Sequence, residues 1–409
     1  PTPEVEATVA GPVPAALDEL LALAREQRAS DVHIIAERPV QVRSVGELVT
    51  SGDPMPARAV AEMLLPMLSP AQRRALDERG YVDLSAEMPR AGRLRVNISR
   101  QRTGLKGSFR LVLSPLPTLD SLGLPQELAR VTTYHQGLVV ISGPSGHGKT
   151  TTLAAIVDLI NASRPHHIIT IEDPVEFLHP RKRAVISQRE VGTHTRSFAA
   201  ALKASLREDP DVIVIGELRD REAVEIAITA AETGHLVIGT MSTPSGAKTI
   251  DRLIDVFPPA DQQQIRSTLA GALKFVVAQR LLPAASGDDF VACVELISGT
   301  PPLWALIRDN KLFHLPNLQQ RGRSFGMLRF DDSLVELYRQ GKISEETALR
   351  YAENRREIGN GLRAAVPPPP APPPVTAPAP AQGTAAQAGA QKLTDLAARV
   401  GKGLFGKRE

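Results

Sequence analysis

The sequence predicts an α/β protein: a mixed amino domain, a second domain with a parallel-rich sheet, a helical carboxyl segment and a proline-rich tail. Three observations predict it. From about residue 126 to 299, the short apolar runs "LVVIS", "HIITIE", "DVIVIG" and "HLVIGT" alternate with helical segments, the pattern of a parallel sheet flanked by helices. Before them, a helix-period segment is followed by stretches of alternating polarity, such as "VQVRSVGELV", that read as half-buried strands. Near the end, nine of the fourteen residues from Pro367 to Pro380 are proline, a composition that builds no core and reads as a disordered, extended linker.

In chain order, residues 1–14 read as a flexible start. The mixed α/β domain is expected over 15–113, opening with "ALDELLALAREQRAS", where Leu17, Leu20, Leu21 and Ala24 share one helical face. Residues 114–125, "SPLPTLDSLGLP", carry the prolines and glycine of a linker. The parallel-sheet domain spans 126–299 and the helical segment 300–364. A Pro/Ala-rich linker over 365–390 leads to a basic tail, 391–409. In that tail Leu393, Leu396, Val400 and Leu404 follow helical spacing among five basic side chains, as in a docking or membrane-surface helix; three glycines weaken it and make a disordered tail the equal alternative.

Bulk properties limit the function. A chain of 409 residues suggests two or three domains. With 48 basic and 45 acidic residues the net charge is only +3, so no dominant polyanion-binding surface is implied. Aromatic residues make up 4%, few stacking platforms for single-stranded nucleic acid. The single cysteine, Cys293, excludes an intramolecular disulfide and a four-cysteine zinc module. The start, "PTPEVEATVAG", has no basic-then-apolar leader, and no apolar run approaches the ~18 residues of a membrane span. A soluble, cytoplasmic protein is expected.

The chemistry begins at "VVISGPSGHGKTTTL", Val139 to Leu153. It fits G-x-x-x-x-G-K-S/T at Gly143, Gly148, Lys149 and Thr150, between a buried strand and a helix. Backbone N–H groups of Gly143, Pro144, Ser145, Gly146, His147 and Gly148, proline excepted, can curl around phosphate oxygens, and the helix start through Thr151 adds its positive dipole end. Lys149 supplies a point charge to the outer phosphates, and Thr150 a hydroxyl to Mg²⁺. Two further strands end in acids: "IITIEDPVEF" carries Glu172, Asp173 and Glu176, and "DVIVIGELRD" carries Glu217 and Asp220. At the carboxyl ends of parallel strands such acids line one ligand-binding edge, where one can take a proton from water and another hold the metal. Each can instead be a helix cap or a solvated turn residue.

At these residues the chain resembles the hexameric secretion and pilus ATPases, and within them the PilT-type retraction motors of type IV pili. "ASDVHI", "RLRVN" and "SFRLV" are similar to the family's amino-domain segments, and "SGPSGHGKTTTLAAIVDLIN" to its Walker A segment. "HHIITIEDPVEF" resembles the aspartate box, "LREDPDVIVIGELRD" the Walker B segment and "AAETGHLVIGTMST" the histidine box. The resemblance implies a PAS-like amino domain and a RecA-like P-loop ATPase domain, with ATP and Mg²⁺ bound. By motif, Glu176 becomes the general base, Glu217 holds Mg²⁺ through water, Arg95 and Arg110 become phosphate-facing arginines, and His235 a histidine-box residue.

The implied assembly is a homo-hexameric ring at the inner face of the inner membrane, working with a pilus platform protein and a possible second pilus ATPase. Three departures stand out. Ser242 occupies the place of the second box histidine, and its hydroxyl, one bond beyond Cβ, is expected to fall short of the phosphate end. "PLWALIRDN" keeps only Leu306, Ile307 and Arg308 of a carboxyl signature associated with retraction, and the proline-rich extension lies outside the resemblance. Retraction and twitching motility are the expected function. An accessory ring ATPase and a DNA-tracking ATPase are the alternatives, the latter on seven basic and no acidic residues between Arg90 and Arg110.

Overall fold

The computed structural model describes residues 14–27, 29–44, 47–112, 116–287 and 289–364. The expectations for the flexible start to residue 13, the proline-rich linker and the basic tail lie outside them. The described residues form two compact units that divide between 112 and 116.

The first unit holds helices α1 (Ala15–Glu26), α2 (Ala57–Leu64) and α3 (Pro70–Arg79). Its strands are β1 (Asp31–Ile35), β2 (Arg38–Ser44), β3 (Glu47–Met55), β4 (Tyr81–Met88), β5 (Gly92–Gln101) and β6 (Gly104–Leu111). They form one sheet in the order β3-β2-β1-β6-β5-β4. Period-two patterning explains its single core: Val32, Ile34, Val40, Val42, Val96, Ile98 and Phe109 pack with Leu17, Leu20, Leu21 and Ala24 of α1. The expected helical face of α1 is thus the buried one. The alternate positions carry polar side chains, and there the register sets Asp31 opposite Arg110 and Arg110 opposite Arg95.

The second unit is built on β7 (Gly137–Ser142), β8 (His167–Glu172), β9 (Val185–Glu190), β10 (Val212–Ile215), β11 (Leu236–Met241), β12 (Leu273–Pro283) and β13 (Phe290–Ser298). The order is β13-β12-β7-β11-β10-β8-β9, parallel throughout except for the β12–β13 pair. β7, β10 and β11 are buried at every position. Alternate residues feed two cores: Leu138 and Val140 join one, Val139 and Ile141 the other. Helices α4 (Lys149–Ser163), α5 (Phe198–Ser205), α6 (Arg221–Glu232), α7 (Gly246–Asp255) and α8 (Gln262–Ala272) cover the two faces. Leu119 and Leu124, from the segment read as linker, are buried in the core that holds Val139 and Ile141. After β13 come α9 (Pro301–Arg308), α10 (Leu315–Arg321), α11 (Phe330–Arg339), α12 (Glu345–Tyr351) and α13 (Arg355–Ala364). Among the described residues, no helix is long and apolar enough to cross a membrane.

Candidate active site

Register places the chemistry. Ser142 pairs with Met241, Ile215 with Gly239 and with Ile171, so the segments after β7, β8, β10 and β11 all leave from the same carboxyl edge of the sheet. These are the segments that carry Lys149, Glu176, Glu217 and Ser242.

The glycines of the phosphate loop have structural causes. Gly143 has φ 150, and a Cβ there would lie 2.3 Å from the carbonyl oxygen of Gln279, so the loop can leave β7 beside β12 only without a side chain. Gly148 enters α4 with φ 80. Lys149 folds over its own loop, its Nζ donating to the carbonyls of Gly143 (2.9 Å) and Pro144 (3.0 Å). Burial lowers its pKa, partly offset by the opposite charge of Glu217. The Walker A lysine and the acid after β10 therefore sense one another. Beside them Ser145 and Gly146 are exposed, Thr150 and Thr151 are half-buried, and Thr150 lines a small pocket with Thr170, Glu172 and His179.

Glu217 is held by two donors. Ser242 Oγ donates to one carboxylate oxygen at 2.9 Å and Arg219 Nε to the other at 2.6 Å. Burial alone would raise its pKa, but these bonds and the charges of Arg219 and Lys149 outweigh it and keep the carboxyl below its ordinary range. Arg219 also pairs with Asp173 at 3.7 Å, tying together the two acid-bearing loops. Ser242 thus has work that its length did not suggest: it orients Glu217. We expect Ser242→Ala to lower kcat roughly tenfold, because a hydrogen bond to a charged group contributes roughly 1.5–3 kcal/mol and only part of it is lost when Arg219 remains. Unchanged kcat in steady-state turnover would remove that role.

Glu176 sits on a short loop pinned from three sides. Its backbone N–H donates to the Glu172 carboxylate, Val175 N–H to Glu190 Oε2 (2.9 Å), and Gln188 Nε2 to the Phe177 carbonyl (2.9 Å). Glu172 also accepts from Thr170 (2.7 Å) and Gln188 (3.2 Å). Burial nevertheless pushes its pKa from 4.5 to about 7, with the nearby charge of Glu176 adding to the rise. A carboxyl raised in the folded state contributes stability that is full below its ordinary 4.5 and is lost as pH climbs through about 7. The stability of the parent relative to Glu172→Gln should therefore fall from about pH 5 to about pH 8, by on the order of 3 kcal/mol. Denaturant midpoints whose difference stays flat over that range would contradict it.

Other expected site residues fall elsewhere. His235 stands before β11, and Gly137 N–H donates to its carbonyl at the amino edge of the sheet. The strand between it and Ser242 spans roughly 20 Å at about 3.3 Å per residue, so His235 cannot touch phosphates held by its own chain. Its Nδ1 lies 3.2 Å from the Ala230 carbonyl instead. Asp220 caps α6, accepting from Ala223 N–H at 2.8 Å, and is a structural acid. Arg95 and Arg110 lie on the first unit, facing each other across β5 and β6, with Arg110 Nε bound to Asp31 at 2.9 Å. In the same basic cluster Arg90 pairs with Glu19 and Arg100 with Asp77. Arg219 and Gln279 were missed. For Gln279 a signal existed: an amide inside the otherwise apolar "KFVVAQRLLP".

A parallel sheet with a glycine-rich loop between β7 and α4, a lysine at the start of the helix and acids after neighbouring strands define a P-loop nucleoside-triphosphate-binding protein. More specifically, the chain belongs to the family described as type II/IV secretion system protein, whose pattern matches residues 6–301, and it is an ATPase of that family. It is 41% identical over 338 residues to the type IV pilus retraction ATPase PilT of Pseudomonas aeruginosa, an alignment covering 82% of this chain and 98% of that one. It is 43% identical over 300 residues to a twitching motility protein of Neisseria gonorrhoeae, covering 73% and 80%. The solved structure of the pilus retraction motor PilT with bound ADP superposes with a TM-score of 0.76 at 38% identity, covering 84% of this chain and 99% of that chain.

Proposed function

We infer that this chain is an ATP-hydrolysing motor of a type IV pilus machine, driving pilus retraction and twitching motility. The observation that carries the reading is the meeting of Lys149 and Glu217 at one edge of the sheet, in a chain that aligns with 98% of a pilus retraction ATPase. In the mechanism, loop N–H groups from Gly143 to Thr151 and the Lys149 ammonium hold the β- and γ-phosphates. Glu176 takes a proton from the attacking water, so that hydroxide character develops as the γ-phosphoryl group leaves ADP. Oxygen ligands suit Mg²⁺, and the Thr150 hydroxyl with the ionised Glu217, the latter through water, would hold it. There Mg²⁺ would neutralise charge developing on the phosphates.

The working assembly is a ring of six copies, docked on a pilus platform protein at the inner face of the membrane. In it Arg95 and Arg110 of one subunit face the nucleotide of the next, so that domain closure and hydrolysis are linked. The pairing of Arg90, Arg100 and Arg110 with acids leaves the basic cluster less suited to a nucleic-acid backbone. Deleting the gene tests the direction of work. Loss of twitching with accumulation of surface pili is expected of a retraction motor; loss of pili altogether would point to extension.

A further inference from the structure

Consecutive residues of β12, Gln279 and Arg280, reach two different parts of the site. In that strand Val277 pairs with Ile141 and Ala278 with Ser142, so Gln279 lies beside the point where the phosphate loop begins. Only 2% of Gln279 is exposed, and its amide is used at both ends. Nε2 donates to the His147 carbonyl at 2.6 Å, and Oε1 accepts from Thr152 Oγ1, in the first turn of α4, at 2.8 Å. Two residues on, Leu281 N–H donates to His147 Nδ1 at 2.9 Å. The loop is thus stitched to β12 just after its exposed tip, at His147 and at the first turn of α4.

Arg280 makes a different set of contacts. Its Nη2 donates to the Pro244 carbonyl at 3.0 Å, two residues beyond Ser242, and lies 3.8 Å from Glu353 Oε1. Its guanidinium stacks over the Phe330 ring at 4.6 Å, at the start of α11. One strand therefore joins the phosphate loop, the segment that orients Glu217 and the carboxyl helices.

We propose that Gln279 and Arg280 are positioning residues for ATP hydrolysis. Gln279 fixes the phosphate loop through His147 and Thr152, and Arg280 couples the carboxyl helices to the Ser242 segment. The proposal rests on the ATPase reading and adds a route by which a load on the carboxyl helices reaches the nucleotide. Because the two residues act on different parts of the site, they separate kinetically. Gln279 acts on groups that hold nucleotide before and during reaction, so its loss should appear in affinity. Arg280 acts on the Glu217 side, so its loss should appear in turnover.

The test uses the full chain, with kcat and KM for ATP referred to folded, nucleotide-binding sites and Kd measured for a fluorescent ATP analogue. Gln279→Ala should raise Kd and KM about tenfold or more, with a smaller fall in kcat. Should that variant not fold, Thr152→Val removes the donor to Gln279 Oε1 at nearly constant volume and should raise Kd several-fold. Arg280→Met should lower kcat roughly tenfold with KM within about twofold, and Arg280→Lys should recover part of it, because lysine reaches a carbonyl but presents no planar fork to stack and bridge. A role in packing alone would lower Tm and leave the constants per site at parental values, which would overturn the proposal. A parent that binds the analogue but does not turn over ATP would defeat the ATPase reading, while the Kd arm would still decide the role of Gln279.

Discussion

Replacing Lys149 with alanine is expected to leave a folded protein whose ATPase activity falls at least about a hundredfold. Lys149 is half-buried and donates to carbonyls of its own loop, so no core packing is lost. What is lost is the positive charge that the loop presents to the outer phosphates, in a place where burial already strengthens electrostatics. Removing one preorganised donor to a developing anion typically costs ~10²–10³ in turnover, and here nucleotide affinity should fall as well. Thermal melts and steady-state phosphate release check both halves. Turnover within a few-fold of the parent would remove Lys149 from the site.

The second large effect is expected of Glu176→Gln: ATP binding close to the parent, and hydrolysis reduced by roughly 10²–10⁴, the usual contribution of a general base. The three bonds that pin its loop come from Glu172, Glu190 and Gln188, which the substitution leaves in place. The backbone should therefore stay where it is, and the defect should be one of proton transfer. Analogue binding and single-turnover hydrolysis separate the two. A proportional loss of both would mean that Glu176 serves the fold of the loop instead.

The fold was legible where short-range pattern decides it. The face of α1, the four apolar parallel strands and the glycine-rich turn follow from periodicity and from turn chemistry over fewer than twenty residues each. The carboxylate positions were legible because acids directly follow buried strands. Less was legible where pairing spans the chain: Gln279 braces His147 across 132 positions, and a single sequence carries no direct record of that contact. The Ser242–Glu217 bond is hidden for a related reason: the length of a serine argues against its reaching phosphate and is silent on the neighbouring acid. His235 is different. It precedes its strand, whereas the chemistry of a parallel sheet lies at the strand ends, so its position was readable from order alone.

Live imaging of labelled pili in a deletion strain, complemented with the parent or with Glu176→Gln, tests the central claim most directly. Retraction events restored by the parent and absent with Glu176→Gln are the predicted result. Equal retraction in both strains would contradict the assignment of this chain as the motor that hydrolyses ATP to retract the pilus.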